Sequence, residues 1–288
     1  TVGNPVKLII SFSIPLLIGN LFQQLYSMVD AVIVGQFLGV DALAAVGTTG
    51  PLSFLILGFV MGMTGGFSVL VAQRFGAGDY KEMRHTVAMS TLLCVALSVL
   101  MTLLSVGLCW QLLELMNTAE NIIGMAYDYI VVIFAGTFAN VLYNILSGIL
   151  RALGDSKTPL YFLILSSLLN VGLDLLFILN FQMGVAGAGY ATVLSQLVSG
   201  LLCLVYMAKK FPILHFQRGD WRFSMPTCLH LLKIGSPMAF QFSITAIGVI
   251  TLQGAVNSFG SSVTAAFTAA SKVETLTQQL MSTLSTTT

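Results

Sequence analysis

Two polar side chains, Asn170 and Asp174, interrupt an apolar run over 159–181 and are of types that bind ions. The run is long enough to cross a bilayer, which takes roughly 20 helical residues. A spacing of four residues places both side chains on one face of that helix. A carboxylate near mid-membrane costs on the order of 2.5–3.5 kcal/mol even on a mild insertion scale, so a functional role is expected.

A second acid, Asp30, lies in the first apolar run, and Gln23 precedes it by one heptad on the same face. No Lys or Arg falls inside the first six predicted spans, so neither Asp30 nor Asp174 has a basic partner there. Two such acids must be protonated, hold a metal cation, or alternate between these states. Their oxygen ligands suit a hard cation such as Na⁺, so the residues fit coupling to H⁺ and to Na⁺ equally.

Further polar side chains follow helical spacing in the fourth and sixth apolar runs. Lipid offers them no partners, so they should converge on one another or on water. For the serines and for Gln196, interhelical hydrogen bonding worth about 0.6 kcal/mol each is at least as good an explanation as a binding role. The residues concerned are Asn140, Tyr143, Asn144 and Ser147 in the fourth run, and Thr192, Ser195 and Gln196 in the sixth.

Composition indicates an all-α polytopic membrane protein. Of the 288 residues, 56% are hydrophobic and 8% are charged, and the mean hydropathy is +0.92. A soluble helical domain needs polar faces that so few charges cannot supply. A net charge of +1 provides no basic surface for nucleic acid. The cysteines and histidines show neither disulfide nor zinc-ligand spacing.

Eight apolar runs are long enough to cross a membrane. Pro15 and Pro237 fall inside the first and the seventh, which neighbouring helices can accommodate. The chain ends soon after the eighth run, and we interpret it as a fragment of a longer protein. The predicted spans are 8–34, 50–73, 86–112, 124–150, 158–181, 187–208, 229–256 and 264–284.

The distribution of basic residues predicts the orientation. All Lys and Arg residues except Lys272 fall before span 1, in the connections 2–3, 4–5 and 6–7, or at the edge of span 7 in the case of Lys233, and Arg151 belongs to the 4–5 connection. These connections lie on one side of the membrane, and the positive-inside rule makes that side cytoplasmic. We therefore expect a multi-pass protein of the plasma (inner) membrane with a cytoplasmic N-terminus.

A weak internal repeat divides the chain into two parts. Ser13-Ile-Pro15 resembles Gly235-Ser-Pro237, and Gly39–Ala45 resembles 260–266. The two copies would insert in the same direction, as in a parallel repeat. We predict an N-lobe of spans 1–6 in 1–208, a cytoplasmic linker in 209–228 and the start of a C-lobe, spans 7–8, in 229–288. Aromatic residues and Arg in the linker suggest that it lies along the membrane surface.

The motifs in these spans resemble those of the MATE family of multidrug and toxic compound extrusion transporters. The resemblance covers essentially the whole chain in order and is nearest to the DinF-type branch. It implies two six-helix lobes and a cation-coupled antiporter that exports amphipathic, often cationic compounds. The matching residues are Ile14-Pro15, Met28-Val-Asp30-Ala-Val-Ile-Val-Gly35, Ala72-Gln-Arg-Phe-Gly-Ala-Gly-Asp79, Gly148-Ile-Leu-Arg-Ala-Leu-Gly-Asp155-Ser-Lys-Thr-Pro159, Asn170 with Asp174, and Gly184-Val-Ala-Gly-Ala-Gly-Tyr-Ala-Thr192.

The resemblance also suggests residue roles. It implies a cation or proton site, with Na⁺ as the candidate metal, formed by Asp30, Asn170, Asp174 and Thr192. It implies no cofactor besides the coupling ion and no enzymatic activity. The expected partners are a drug-like small molecule and the lipid bilayer, without nucleic acid, and the chain is expected to be monomeric. Together with the polar residues of span 4, the resemblance indicates a substrate cavity. Its predicted lining is Gln23, Tyr129, Asn140, Tyr143 and Asn144.

Residues 240–248 carry no acid, although some members of the family have one there, so no second-lobe cation site is expected. Two other functions are alternatives to the transport of drugs. A lipid-linked precursor flippase would need cationic side chains in its cavity, and spans 1–6 supply none. An intramembrane aspartyl protease needs a Gly-x-Gly-Asp motif, but Ala152 replaces its first glycine before Asp155. Lys272 and Glu274 could pair in span 8, structurally or functionally.

Overall fold

Long α-helices form nearly all of the chain in the computed structural model, which describes residues 5–257. Within those residues the helices are joined by short turns and no β-strand is present. A π-helical turn, Leu176–Asn180, extends α6, and two 3₁₀ turns occupy the connection before α8. The helices are α1 (Pro5–Leu38), α2 (Val40–Gly76), α3 (Tyr80–Leu115), α4 (Glu120–Ala135), α5 (Thr137–Ala152), α6 (Lys157–Leu175), α7 (Gly184–Lys210) and α8 (Met225–Asn257).

The helices confirm the predicted membrane architecture for the described part of the chain. Six of them are long and apolar enough to cross a membrane, and α4 with α5 passes the same test as a bent pair. The first seven predicted spans therefore each have a counterpart. The eighth, 264–284, lies outside the described residues, as do Lys272, Glu274 and the second copy of the weak repeat at 260–266.

The fourth span is not the continuous helix that the sequence predicted over 124–150. It breaks at Gly136, where α4 and α5 meet at an angle of 47°. A Cβ on Gly136 would lie 2.9 Å from Cβ of Val193 on α7, so only glycine allows α7 to approach this closely. The Thr137 hydroxyl donates to the Phe134 carbonyl (2.7 Å) and satisfies an acceptor released by the break.

Close packing between α2 and α8 joins the first part of the chain to the last described helix. A Cβ on Gly62 would lie 2.5 Å from Cα of Ala239, and Gly66 meets the backbone of Gly235 in the same way. Small residues at such contacts allow helix backbones to approach in a membrane, where no hydrophobic force drives association.

The connection between α7 and α8 is held against the start of α3. The Asp220 carboxylate accepts hydrogen bonds from the Gln217 backbone N–H (2.8 Å) and from Arg84 Nε (3.2 Å). His85 Nδ1 lies 3.0 Å from the Asp220 carbonyl oxygen. Leu214 is buried in the core beneath the connection. The linker predicted over 209–228 is therefore ordered in two 3₁₀ turns, with the last residues of α7 before them and the first of α8 after.

Candidate functional site

The acids identified from the sequence come together at one place in the helix bundle. Asp30 on α1 and Asn170 and Asp174 on α6 are buried, with exposed fractions of 7%, 0% and 0%. Thr192 on α7 completes the group through hydrogen bonds with Asn170. Three helices thus contribute polar side chains to a site closed to solvent. We refer to Asp30, Asn170, Asp174 and Thr192 as the acid cluster.

Asn170 connects the members of the acid cluster in either orientation of its amide. In one orientation Nδ2 donates to Thr192 Oγ1 (3.3 Å). Rotated by half a turn, Nδ2 donates to Asp174 Oδ2 (3.0 Å) and the amide oxygen accepts from the Thr192 backbone N–H (3.2 Å). The second orientation satisfies more polar atoms, and it leaves the amide holding Asp174 in place.

The two carboxyl groups of the acid cluster lie within hydrogen-bonding reach of each other. Carboxylates accept but do not donate, so a hydrogen bond between them requires at least one proton. Oδ1 of Asp30 and Oδ1 of Asp174 are each buried without a hydrogen-bond partner in the described structure. Among the residues described, the one salt bridge is the pair Arg84–Asp220, remote from these acids in sequence. The cluster therefore presents acceptor oxygens that a proton or a hard cation can satisfy.

A tyrosine that was not selected from the sequence, Tyr26, adjoins the acid cluster. Its side chain hydrogen-bonds with Thr192 and lies near both acids. Tyr26 precedes Asp30 by four residues, so helical spacing could have placed it on the same face. Tyr129 on α4, predicted to line the cavity, instead lies beside Asp30, Asp174 and Tyr26. Two tyrosine side chains, Tyr26 and Tyr129, thus lie beside the acid cluster.

A cavity of about 140 Å³ opens between α1, α5, α6 and α7. It brings together Gln23, Asn140, Tyr143 and Asn144, four of the five residues predicted to contact substrate. Pockets that hold drug-sized ligands span roughly 300–1,000 Å³, so the helices must separate further to admit one. The rest of its lining is Pro15, Gly19, Asn20, Tyr26, Met61, Ser147, Arg151, Ser156, Pro159, Leu160, Leu163, Ser166, Ser167, Ser195 and Gln196.

Hydrogen bonds fix several of the amides that line the cavity. Asn140 Nδ2 donates to Gln196 Oε1 (3.3 Å), which joins α5 to α7. Asn144 Nδ2 donates to both oxygens of Asn140, the side-chain oxygen at 2.9 Å and the carbonyl at 2.8 Å. The Tyr143 hydroxyl donates to the Pro159 carbonyl on α6 (3.2 Å). The polar residues of α5 therefore hydrogen-bond with α6 and α7, and they also line the cavity.

Arg151 corrects the prediction that no basic side chain lies within the first six spans. Helix α5 continues to Ala152, so Arg151 belongs to its last turn rather than to a connection. Its side chain lines the cavity. The predicted span ended at residue 150, two residues before the helix ends, and this difference changed the predicted charge of the cavity.

Tyr26 contacts both the cavity and the acid cluster. It lines the cavity and it hydrogen-bonds with Thr192 of the acid cluster. A change at the acids can therefore reach the cavity through one side chain. Buried acids without basic partners among the described residues thus lie next to a polar cavity in a multi-helix membrane bundle, and intramembrane acids of this kind commonly mark ion pathways.

Comparison with known proteins identifies the family. The model of the MatE family matches residues 15–176, more than half of the chain, and the chain belongs to this family. It is a family of transporters rather than enzymes, which agrees with the sequence prediction.

Named relatives and solved structures agree with this assignment. The probable multidrug resistance protein YpnP of Bacillus subtilis is 33% identical over 278 residues, covering 96% of this chain and 62% of the relative. A MOP superfamily transporter from Pyrococcus furiosus superposes with a TM-score of 0.90 at 30% identity, over 99% of this chain and 63% of that one. An outward-facing multidrug resistance MATE family transporter gives a TM-score of 0.89 at 30% identity, with the same coverage.

The chain thus spans about three fifths of the length of the relatives that it matches. It is a multi-pass membrane protein of the MatE family, and its relatives are named for multidrug resistance and export.

Proposed function

We propose that this chain forms the ion-coupled part of a secondary antiporter that exports amphipathic small molecules in exchange for inward H⁺ or Na⁺. One observation carries the proposal. Asp30 and Asp174 are buried together, without a basic partner among the described residues, and each has an unsatisfied oxygen. Unpaired acids within a membrane are costly, and proton or ion pathways are where they occur.

The ion would act by changing the contacts between α1, α6 and α7. A proton or Na⁺ held between Asp30 and Asp174 removes their mutual repulsion and favours the packed cluster. Loss of the ion leaves two facing carboxylates and favours separation of α1 from α6. Because Thr192 hydrogen-bonds with Tyr26, this movement reaches the cavity. Ion and substrate are then linked through their different affinities for the two states.

The orientation follows from the charge distribution. With the N-terminus in the cytoplasm, α1 and α6 run outward, and α5 runs inward to Arg151. The cavity then lies towards the cytoplasm and the acid cluster lies towards the outside. We infer that the protein resides in the plasma membrane, where a substrate enters from the cytoplasm and the coupling ion from outside.

Other predicted partners remain part of the proposal. The expected partners are a small amphipathic molecule and the lipid bilayer, the expected state is a monomer, and no nucleic acid or cofactor is expected. The compounds that the relatives export, as their names indicate, support a drug-like substrate.

The alternative functions are less well supported. The sequence argument against a flippase does not hold, since Arg151 lines the cavity. The names of the relatives nevertheless favour drug export. For the protease alternative, Asp155 accepts hydrogen bonds from the Thr158 backbone N–H (3.0 Å) and hydroxyl (2.6 Å), so it caps α6. Asp128 is exposed on α4, so the two acids belong to different features.

Efflux from liposomes that contain the full-length protein tests the proposal. A fluorescent amphipathic dye would be followed under an imposed pH gradient and then under a Na⁺ gradient. We expect gradient-driven efflux in the unmodified protein and its loss in Asp30→Asn and Asp174→Asn. Asp128→Asn, which changes an exposed acid outside the cluster, is the matched control. Normal ion-driven efflux in both cluster variants would refute the mechanism.

A further inference from the structure

The charge of the cavity lining points to the kind of substrate it holds. Of the described residues that line the cavity, Arg151 is the one with a formal charge, and no acid is among them. The acids of the cluster are buried elsewhere in the bundle and do not line it. The electrostatic character of this cavity is therefore positive, which would disfavour a purely cationic substrate.

Arg151 has no described counter-ion. Neither a salt bridge nor a hydrogen bond connects its guanidinium to any residue whose side chain is described. Its described electrostatic neighbours are Tyr143 and Cys203, both neutral groups. A partly buried guanidinium without an acceptor loses hydration and gains no ion pair in return. An anion in the cavity would supply both the charge and the acceptors.

The neighbouring side chains can accommodate such an anion. Ser147 lies one turn before Arg151 on α5, and Ser156 lies at the start of α6, and both line the cavity. The Ser156 side chain has no described hydrogen bond, and its hydroxyl can donate. The planar guanidinium presents paired N–H donors that match the two oxygens of a carboxylate or a phosphate.

We propose that the cavity binds the acidic group of an amphipathic substrate, a carboxylate or a phosphate, with Arg151 as its counter-ion. The apolar part of that substrate would lie against Leu160 and Leu163. A zwitterion satisfies the same site, provided that its acidic group faces Arg151. The inference rests on the proposed function, because it names the substrate class of that transporter.

A structural role for Arg151 makes a different prediction. As a basic residue in the last turn of α5, it could interact with the carbonyl groups at the helix end. Lysine would serve that role nearly as well and would have no reason to distinguish ligands by their charge. The test must therefore compare ligands of different charge on the same protein.

Binding of matched probes to the purified full-length protein provides this test. Dansylglycine, its methyl ester and dansylcadaverine share one fluorophore and differ in charge. In phosphatidylcholine nanodiscs we expect dansylglycine to bind about tenfold more tightly than the ester, as a charge-assisted pair allows. The preference should fall to within about twofold in Arg151→Gln, and Arg151→Glu should prefer dansylcadaverine. Arg151→Lys should keep part of the preference, because it keeps the charge but not the paired donors.

Equal binding of dansylglycine and its methyl ester to the unmodified protein would overturn the inference. This comparison does not depend on whether any variant folds. A preference that persists in Arg151→Gln would also overturn it. Replacing phosphatidylcholine with phosphatidylglycerol separates two sources of the acidic group. Competition by phosphatidylglycerol that depends on Arg151 would support the inference with a lipid headgroup as ligand, and its absence would support a soluble amphiphile.

The binding test is independent of the transport test. Probes are compared without any ion gradient, and the acid cluster is left intact. An Arg151-dependent preference without ion-driven efflux would refute the antiporter and leave the anion site standing. Ion-driven efflux without that preference would refute the anion site alone.

Discussion

At the scale of single residues, Tyr26 connects the two functional features. Its side chain faces the cavity and hydrogen-bonds with Thr192, which belongs to the acid cluster. A neutral hydrogen bond of this kind contributes about 1 kcal/mol. That is enough to shift the linkage between ion and substrate without abolishing either binding event.

Tyr26→Phe should therefore weaken coupling while it preserves the fold. We expect the Kd of a cavity ligand to respond about fivefold less to the coupling ion, the equivalent of one hydrogen bond. The measurement is ligand binding by fluorescence with the ion present and absent. Tyr127→Phe, whose ring packs on Trp110 outside the cluster, is the control and should behave as the unmodified protein. An unchanged response in Tyr26→Phe would show that coupling takes another route.

Asn170→Ala removes the amide that contacts both Asp174 and Thr192. Because those partners are buried, their loss should lower the free energy of unfolding by about 1–3 kcal/mol. The change would appear as a lower Tm of the purified protein in detergent. Adding Na⁺ or lowering the pH should restore less stability to this variant than to the unmodified protein. The matched control is Ser167→Ala on the same helix, because the Ser167 hydroxyl donates only to the Leu163 carbonyl one turn earlier.

At the scale of elements, the break between α4 and α5 decides where the polar residues of α5 point. Gly136 allows α7 to approach, and the 47° bend aims Asn140 and Asn144 at the cavity. This break was not predicted, because no proline marks it. The close approach of Val193 to Gly136 is a tertiary contact between residues far apart in the chain, and helical periodicity does not predict such a contact.

Gly136→Ala should destabilise the protein, because the new methyl group meets Val193. Overpacking of this kind costs typically about 1–3 kcal/mol, measurable as a fall in Tm. Val193→Ala in the same chain should recover part of the loss, as a coupled pair requires. Gly124→Ala on the same helix meets no atom within 4 Å and should leave Tm unchanged or higher. Independent, additive effects of Gly136→Ala and Val193→Ala would contradict this account.

The sequence predicted the acid cluster better than the cavity. Asp30, Asn170 and Asp174 stand out because a polar group within an apolar span is costly, and Thr192 followed from the family resemblance. Arg151 was missed because a span boundary is uncertain by a residue or two, and its side chain points inward from the last turn. Tyr129, which the family resemblance assigned to the cavity beside the acid cluster, lies next to the acids themselves, and a resemblance in sequence does not separate two adjacent sites on one bundle.

For the fold as a whole, the contact between α2 and α8 is where the last described helix packs against the first part of the chain. Backbone contact at Gly62 and Gly66 allows α8 to lie directly on α2. Methyl groups at this contact should force the helices apart. The hydrogen bonds of Asp220 hold the connection between α7 and α8 against α3. The start of α8 should therefore stay in place when the contact with α2 is changed.

Gly66→Ala should therefore separate α8 from α2. Spin labels at Gln73 on α2 and Lys233 on α8, both exposed, would report a longer distance by double electron–electron resonance. Efflux should fall as well if this contact must close during transport. Gly50→Ala, also on α2 but with no atom within 4 Å of the new methyl group, should change neither quantity. An unchanged distance in Gly66→Ala would mean that the contact yields without separating the helices.

In the proposed mechanism Asp30 and Asp174 exchange the coupling ion, so protons should leave them when Na⁺ or a cavity ligand binds. A pH-indicator dye in weak buffer would follow the purified full-length protein as Na⁺ or a cavity ligand is added. We expect proton release from the unmodified protein and from Asp128→Asn, and none from the Asp30→Asn, Asp174→Asn double variant. Undiminished proton release from the folded double variant would contradict this mechanism.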